Sequence, residues 1–348
     1  VLGLQRHCVK KHQLPAEESS IIARPPEMNS RNAVTWALAA LAFTLPITIA
    51  GMNASLAVLT LTLVIAWRDA AVGPGLRRSI SEAARSPVFL ILIAYASWGL
   101  ISGLAAPDSA GSLRLWPKDL HKLWAFLAIA TGLATARRRP VAAAFAAGLG
   151  LHAALGVWGG AAQWLTGVRM RAQGFVHPVT YGDMLCLGFL GIAALLARPQ
   201  GLLKTAREHR AALALAGLLG AALVLNGTRA VLLGLGAALA AASWSDRNWR
   251  RHALAAGLTL LAVASFWEVM PNSGRNLRTL IAGKPGDESH RTRLTLWRVA
   301  LDIAGERPVT GAGPGGYRAA FGRLHPEPLE AEKTWGNAHN LFLHQLAE

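Results

Sequence analysis

A chain of 348 residues that is 53% hydrophobic, only 16% charged and of mean hydropathy +0.33 is not an ordinary soluble domain, which carries about 25% charged residues. Its two cysteines, Cys8 in a polar tail and Cys186 in an apolar run, exclude a disulfide framework and a cysteine metal cluster. The net charge of +16 does not by itself imply nucleic acid, because membrane proteins concentrate Lys and Arg in their cytoplasmic connections; no nucleic-acid partner is expected.

Residues 1–32 read as a polar cytoplasmic tail with Pro15, Pro25 and Pro26, and no signal-peptide apolar core follows Val1. Met28 opens a stretch that reads as a natural start. Apolar runs then predict membrane spans at about 33–50, 54–67, 87–105, 122–136, 141–165, 181–197, 211–226, 230–244 and 253–269. Their Gly and Ala content suits close helix packing in lipid. A transmembrane bundle over 33–269 and a large loop over 270–338 follow, and residues 339–348 read as the start of a further span.

Charge fixes the expected orientation. With the N-terminus in the cytoplasm, the inner connections hold 14 basic residues, among them Arg68, Arg77, Arg137 to Arg139 and Arg250, against 6 in the short outer ones. The 270–338 loop then lies outside the cytoplasm.

The few outer basic residues depart from the rule. Arg169 and Arg171 precede a span, and Arg229 sits in a connection short enough to lie at membrane depth, where an unpaired arginine is costly. The alternative readings are a snorkelling anchor for Arg169 and a flanking charge for Arg229.

In the loop, Leu294, Trp297 and Leu301 recur at helical spacing, Ser289 suits a cap, and Pro308 with the run Gly311–Gly316 ends the helix in a turn. This helix carries Arg291, Arg293 and Arg298, with Arg293 near its start, where the helix dipole favours anions. A solvated charged face is the plainer alternative. Arginines converging on one membrane face suggest a pyrophosphate carried on a lipid, since guanidinium forks match phosphate oxygens. No paired acidic motif for a divalent ion and no strand-linked phosphate loop is present, so neither metal nor cofactor is expected.

Three stretches resemble the bacterial O-antigen ligases, within the O-antigen ligase and polymerase superfamily: RAQGFVHPVTYG (171–182), NGTRAVLLGL (226–235) and SHRTRLTLWRVALDIAGERPVTGAGPGGY (289–317). The third is similar to the family's Ser-x-x-x-Arg-x-x-x-Trp helix followed by Pro-x-x-Gly-x-Gly and aligns Arg293, rather than Arg291, with the family arginine. Ala338-His339-Asn340 resembles the histidine near the end of the family's large periplasmic loop. The resemblance spans roughly 33–348; the family continues into further helices after the histidine.

The resemblance implies an all-α polytopic membrane protein, a GT-C-like glycosyltransferase with about nine to ten transmembrane helices and one large periplasmic loop with helices. It would sit in the bacterial inner membrane with its site facing the periplasm. It would transfer a glycan from undecaprenyl pyrophosphate to a sugar hydroxyl of lipid A–core oligosaccharide, without metal. Arg171, Arg229 and Arg293 would bind the pyrophosphate, with Arg169 and Arg291 secondary. An imidazole titrating near pH 6.5 suits a base for the acceptor hydroxyl. His339, where loop meets membrane, is the first candidate, with Asn340 as a possible orienting neighbour and His177, close to Arg171, second. His152 and His344 lie in apolar runs and read as core. A polymerase, a protein oligosaccharyltransferase and an anion transporter remain as alternatives.

Overall fold

A computed structural model describes residues 29–165, 174–197, 203–226, 228–245, 288–325 and 336–348, all helical or irregular. Among the described residues, ten helices precede the loop: α1 (Ser30–Thr44), α2 (Ile49–Trp67), α3 (Gly73–Ala84), α4 (Pro87–Ala105), α5 (Ser109–Leu115), α6 (Pro117–Thr135), α7 (Arg138–Leu165), α8 (Pro178–Ala197), α9 (Ala206–Asn226) and α10 (Arg229–Ser245). Three more are described in the loop and after it: α11 (Glu288–Glu306) and α12 (Tyr317–Leu324) within it and α13 (Leu341–Ala347) beyond it.

Local chemistry sets the boundaries. Asn29 caps α1 by accepting from Arg31 N–H (2.9 Å), and Ser86 caps α4 by accepting from Phe89 N–H (3.2 Å), with Pro87 at the first helical position. Asp108 does the same for α5 through Gly111 N–H (2.9 Å).

Among the described residues, five helices are long and apolar enough to cross a membrane: Ile49–Trp67, Pro87–Ala105, Arg138–Ala162, Val179–Ala197 and Ala206–Asn226. At most 33% of any of these stretches is buried in the protein, so Val58, Leu61, Leu90 and Ile91 point outward. Apolar surface on that scale is tolerated in hydrocarbon and not in water. The protein is therefore a multi-pass membrane protein.

The remaining expected spans fare differently. The 33–50 and 54–67 boundaries shift, because Leu45 to Thr48, with Pro46 among them, form a turn between α1 and α2. α1 has 15 residues, the apolar part of α10 is short, and α6 begins with Lys118, Asp119 and Lys122. The expected span at 253–269 lies outside the described residues.

Two cores build the bundle. In one, Leu149 and Ala153 of α7 meet Tyr181 and Leu185 of α8, Leu219 and Leu223 of α9, and Val231 and Leu235 of α10. In the other, α1, α2, α3 and α6 pack through Val34, Leu38, Leu56, Leu59, Leu76 and Ala128. α7 joins them: a Cβ on its Gly148 would stand 2.2 Å from Phe43 O of α1, so the two helices cross at backbone contact. His152 is fully buried against Tyr181, with ring centroids 4.6 Å apart, as a core residue.

Candidate active site

The loop helices form a third core on the end of the bundle. α11 buries Leu296, Val299, Ala300 and Ile303, spaced for one helical face, against Tyr317, Ala320 and Phe321 of α12 and Ala347 of α13. Leu294 and Leu301, from which the helix was inferred, lie exposed on another face. Ser289 falls inside the helix rather than ahead of it. Tyr317 is buried and its hydroxyl donates to Leu296 O (2.8 Å), tying α12 to α11; burial pushes the phenol up to about 12, so it keeps this proton at any working pH.

The Gly-rich run is a turn, and its conformation explains its composition. Gly311, Gly313 and Gly315 have φ of 59°, 84° and 73°, a region that side chains disfavour. At Gly313 a Cβ would also lie 2.4 Å from Ala106 Cβ and 2.8 Å from Ser112 Oγ, because the turn presses against the α4–α5 corner. Ser102 of α4 fixes that contact, its hydroxyl lying 2.5 Å from Thr310 O and 2.7 Å from Glu348 O. Arg307 donates to Ala105 O at the end of α4 (3.0 Å). Nothing in the sequence pointed to Ser102 or Arg307, since their partners lie 208 and 202 residues away. The three glycines at alternate positions were the readable trace of this contact.

His339 stands at the joint of this core with the bundle. It has φ 50°, the one positive value among the described non-glycine residues. Neighbouring asparagines hold it there: His339 N–H donates to Asn337 Oδ1 (3.0 Å), and Asn340 Oδ1 caps α13 by accepting from Phe342 N–H (3.1 Å) and Leu343 N–H (3.2 Å). Asn340 therefore orders the backbone that carries the imidazole. A non-glycine residue fixed in this region is held by its surroundings, and such residues cluster at functional sites.

The residue is exposed, yet its ring is partly desolvated. That desolvation, then the charge of Arg293, then His177, hold its pKa below the ordinary 6.5. Three predicted site residues, from α11, from the start of α8 and from the segment before α13, thus share one electrostatic neighbourhood. His177 lies just ahead of α8, where its Nδ1 faces Val179 N–H (3.4 Å). The imidazole of His339 is neutral at neutral pH and so has a lone pair to accept a proton.

The other predicted residues divide. Arg229 opens α10 and Arg291 lies in α11, but neither side chain is among those described. Arg169 and Arg171 lie outside the described residues. α8 nevertheless brings its first turn, which follows that segment, beside the start of α10: a Cβ on Gly182 would lie 2.7 Å from Asn226 Oδ1 and 3.0 Å from Val231. Asn226 and Thr228, immediately before Arg229, are buried. Among the described residues, no three His, Cys, Asp or Glu side chains converge on a point where a metal ion could be held.

Residues 213–348 match the family model Wzy_C, described as O-antigen ligase. This part of the chain is similar to the O-antigen ligase family. The match takes in the later part of α9 and all of α10 to α13, and hence Arg229, Arg293 and His339, while His177 and the Arg169–Arg171 segment precede it. No curated protein matches the chain.

Proposed function

We propose that this protein is a glycosyltransferase of the inner membrane that moves a glycan from undecaprenyl pyrophosphate to a sugar hydroxyl of lipid A–core oligosaccharide. The observation that carries the reading is His339, held at φ 50° at the joint of loop and bundle, where desolvation and then the charge of Arg293 lower its proton affinity. A base for a hydroxyl and a fixed cation for a phosphate are the two groups this reaction needs.

The acceptor oxygen attacks the anomeric carbon while its proton passes to a ring nitrogen of His339. The bond from that carbon to the pyrophosphate oxygen breaks, and the configuration inverts. Charge grows on the departing oxygen, and Arg293, Arg229 and Arg171 stabilise it; such preorganised donors are worth most where water is excluded. Arg169 and Arg291 are secondary candidates for binding the pyrophosphate, and His177 is the second candidate for the base. This reading takes the fold as GT-C-like with nine to ten spans, the N-terminus in the cytoplasm and the 270–338 loop in the periplasm.

Purified protein in liposomes, given a lipid-pyrophosphate glycan and lipid A–core, tests it with and without a chelator. Glycan on lipid A–core in both arms is the expected result. Elongation of the donor when no acceptor is supplied would make the protein a polymerase. Loss of transfer on chelation would overturn the metal-free mechanism.

A further inference from the structure

The end of α6 away from the loop core holds a second feature. A groove of 490 Å³ runs between α2, α3 and α6, walled by Thr60, Val64, Leu76, Trp124 and Leu127. Thr131 and Arg68 line it too. Thr131 is fourteen residues beyond Pro117, about 21 Å of helix away from the end of α6 that adjoins α5 and the loop core.

Three properties of the groove point to one kind of occupant. Its length comes first: from Arg68 to Thr60 is eight residues, about 12 Å along α2, close to one leaflet of a hydrocarbon core about 30 Å thick. Its walls are apolar almost throughout, and Val64 is 56% exposed, so the groove opens sideways where hydrocarbon would be.

Polarity is the second property. Thr131 is buried to 1% and its Oγ1 has no hydrogen-bond partner, although it lines the groove. A buried hydroxyl left unpaired is costly, so a polar atom of an occupant at that height would satisfy it.

Charge is the third. Arg68 lines the mouth, and Arg77 of α3 lies over the Trp67 ring with its guanidinium carbon 5.4 Å from the centroid. Arg78 adds a third exposed cation. Of the two nearby carboxylates, Asp69 accepts from Ala71 N–H (2.8 Å) and is held acidic by Ser30, while Glu82 lies near the far end of α3. α3 thus packs Leu76 inward and carries Arg77, which lies over Trp67 of the groove wall and beside the mouth lined by Arg68.

We propose that the groove binds one acyl chain of an anionic phospholipid, in the leaflet opposite the candidate active site, with the lipid phosphate at Arg68 and Arg77. The glycerol ester region meets Thr131 Oγ1. An uncharged or zwitterionic lipid fills the same walls but leaves the cations unmatched.

Native mass spectrometry of the delipidated full chain in detergent, titrated with dioleoyl phosphatidylglycerol or dioleoyl phosphatidylcholine, reads this directly. Phosphatidylglycerol is expected to be retained at one copy in preference. Arg68→Ala and Arg77→Ala should each weaken that retention by about five-fold, the usual effect of one basic residue at an anionic surface. Val64→Trp fills the groove from an exposed position without touching the charges and should abolish retention. Thr131→Val is a near-isosteric second probe and should weaken it by about three-fold. Retention that falls in the arginine variants but survives both Val64→Trp and Thr131→Val would reduce the effect to surface charge. Equal retention of both lipids would refute headgroup selection. A dimer that holds no lipid and dissociates in Val64→Trp would give the groove to a second copy of the chain.

Discussion

Replacing Gly313 with alanine should undock the loop core from α4 without unfolding the bundle. The new Cβ would stand 2.4 Å from Ala106 Cβ and 2.8 Å from Ser112 Oγ, at φ 84°. Holding a side chain in a left-handed conformation costs about 1–2 kcal/mol. Relieving the overlap needs a retreat of about 1 Å to reach ordinary carbon contact near 3.5 Å. Such a shift stretches the Ser102 contacts to Thr310 O and Glu348 O, now 2.5 and 2.7 Å. One hydroxyl proton is shared between these two carbonyls and a hydrogen bond contributes about 0.5–1.5 kcal/mol, so the change totals about 1.5–3.5 kcal/mol against docking. A domain's whole stability is about 5–15 kcal/mol, and only one contact surface bears this cost. Amide exchange should therefore rise across 307–317 and 341–348 and stay unchanged in α1 and α2, while transfer falls at least ten-fold. Gly322→Ala is the control, because a Cβ there meets nothing within 4 Å. Native exchange and native transfer in Gly313→Ala would refute the account of how the site is held.

Arg171→Ala, Arg229→Ala and Arg293→Ala should each lower transfer by about 100-fold or more, with lysine restoring only part because it lacks the planar fork. Wild-type rates in all three at equal expression would reduce them to membrane anchors. For topology, single cysteines replacing Ser273 and Arg138 should label with an impermeant reagent in intact cells at 273 and not at 138; the reverse pattern would invert the orientation.

The apolar runs were legible in the sequence because composition alone shows them, and the long helices α4, α7, α8 and α9 lie close to where they predict. Boundaries failed where the apolar composition continues through a turn, as at Pro46 between α1 and α2. α3 and α5 were not foreseen, since residues such as Arg77 and Arg78 were read for charge and not for the pairing of Leu76 with α6. In α11 both Leu294/Trp297/Leu301 and Leu296/Val299/Ile303 have helical spacing, so periodicity predicts a helix but not its buried face. That choice belongs to Tyr317 and Phe321, which only the folded chain brings there. His339 and Arg293 were readable as separate motifs; their neighbourhood with His177, 162 residues before His339, is a property of the fold.

The pH profile of transfer offers the sharpest test of His339. A general base works only when neutral, hence above its pKa. Burial, then Arg293, then His177 lower that pKa, so activity should persist below pH 6.5 before failing. Stability follows the same sign: as pH falls below 6.5 the unfolded chain takes up this proton first, and the folded loop loses stability until the lowered folded pKa is passed. Two perturbations move the limb in a known direction. Arg293→Gln removes a cation, so the acid limb of kcat/KM should shift to higher pH. A bound pyrophosphate matches the same charge, so in wild type the limb of kcat, which reports the complex, should lie above that of kcat/KM, which reports the free enzyme. His339→Ala should cost about 10²–10⁴-fold in turnover and erase the limb from the residual rate while donor binding persists. Joint loss of donor binding and turnover would instead make His339 a phosphate ligand. Normal turnover would move the search for the base to His177, the other imidazole in the same electrostatic neighbourhood.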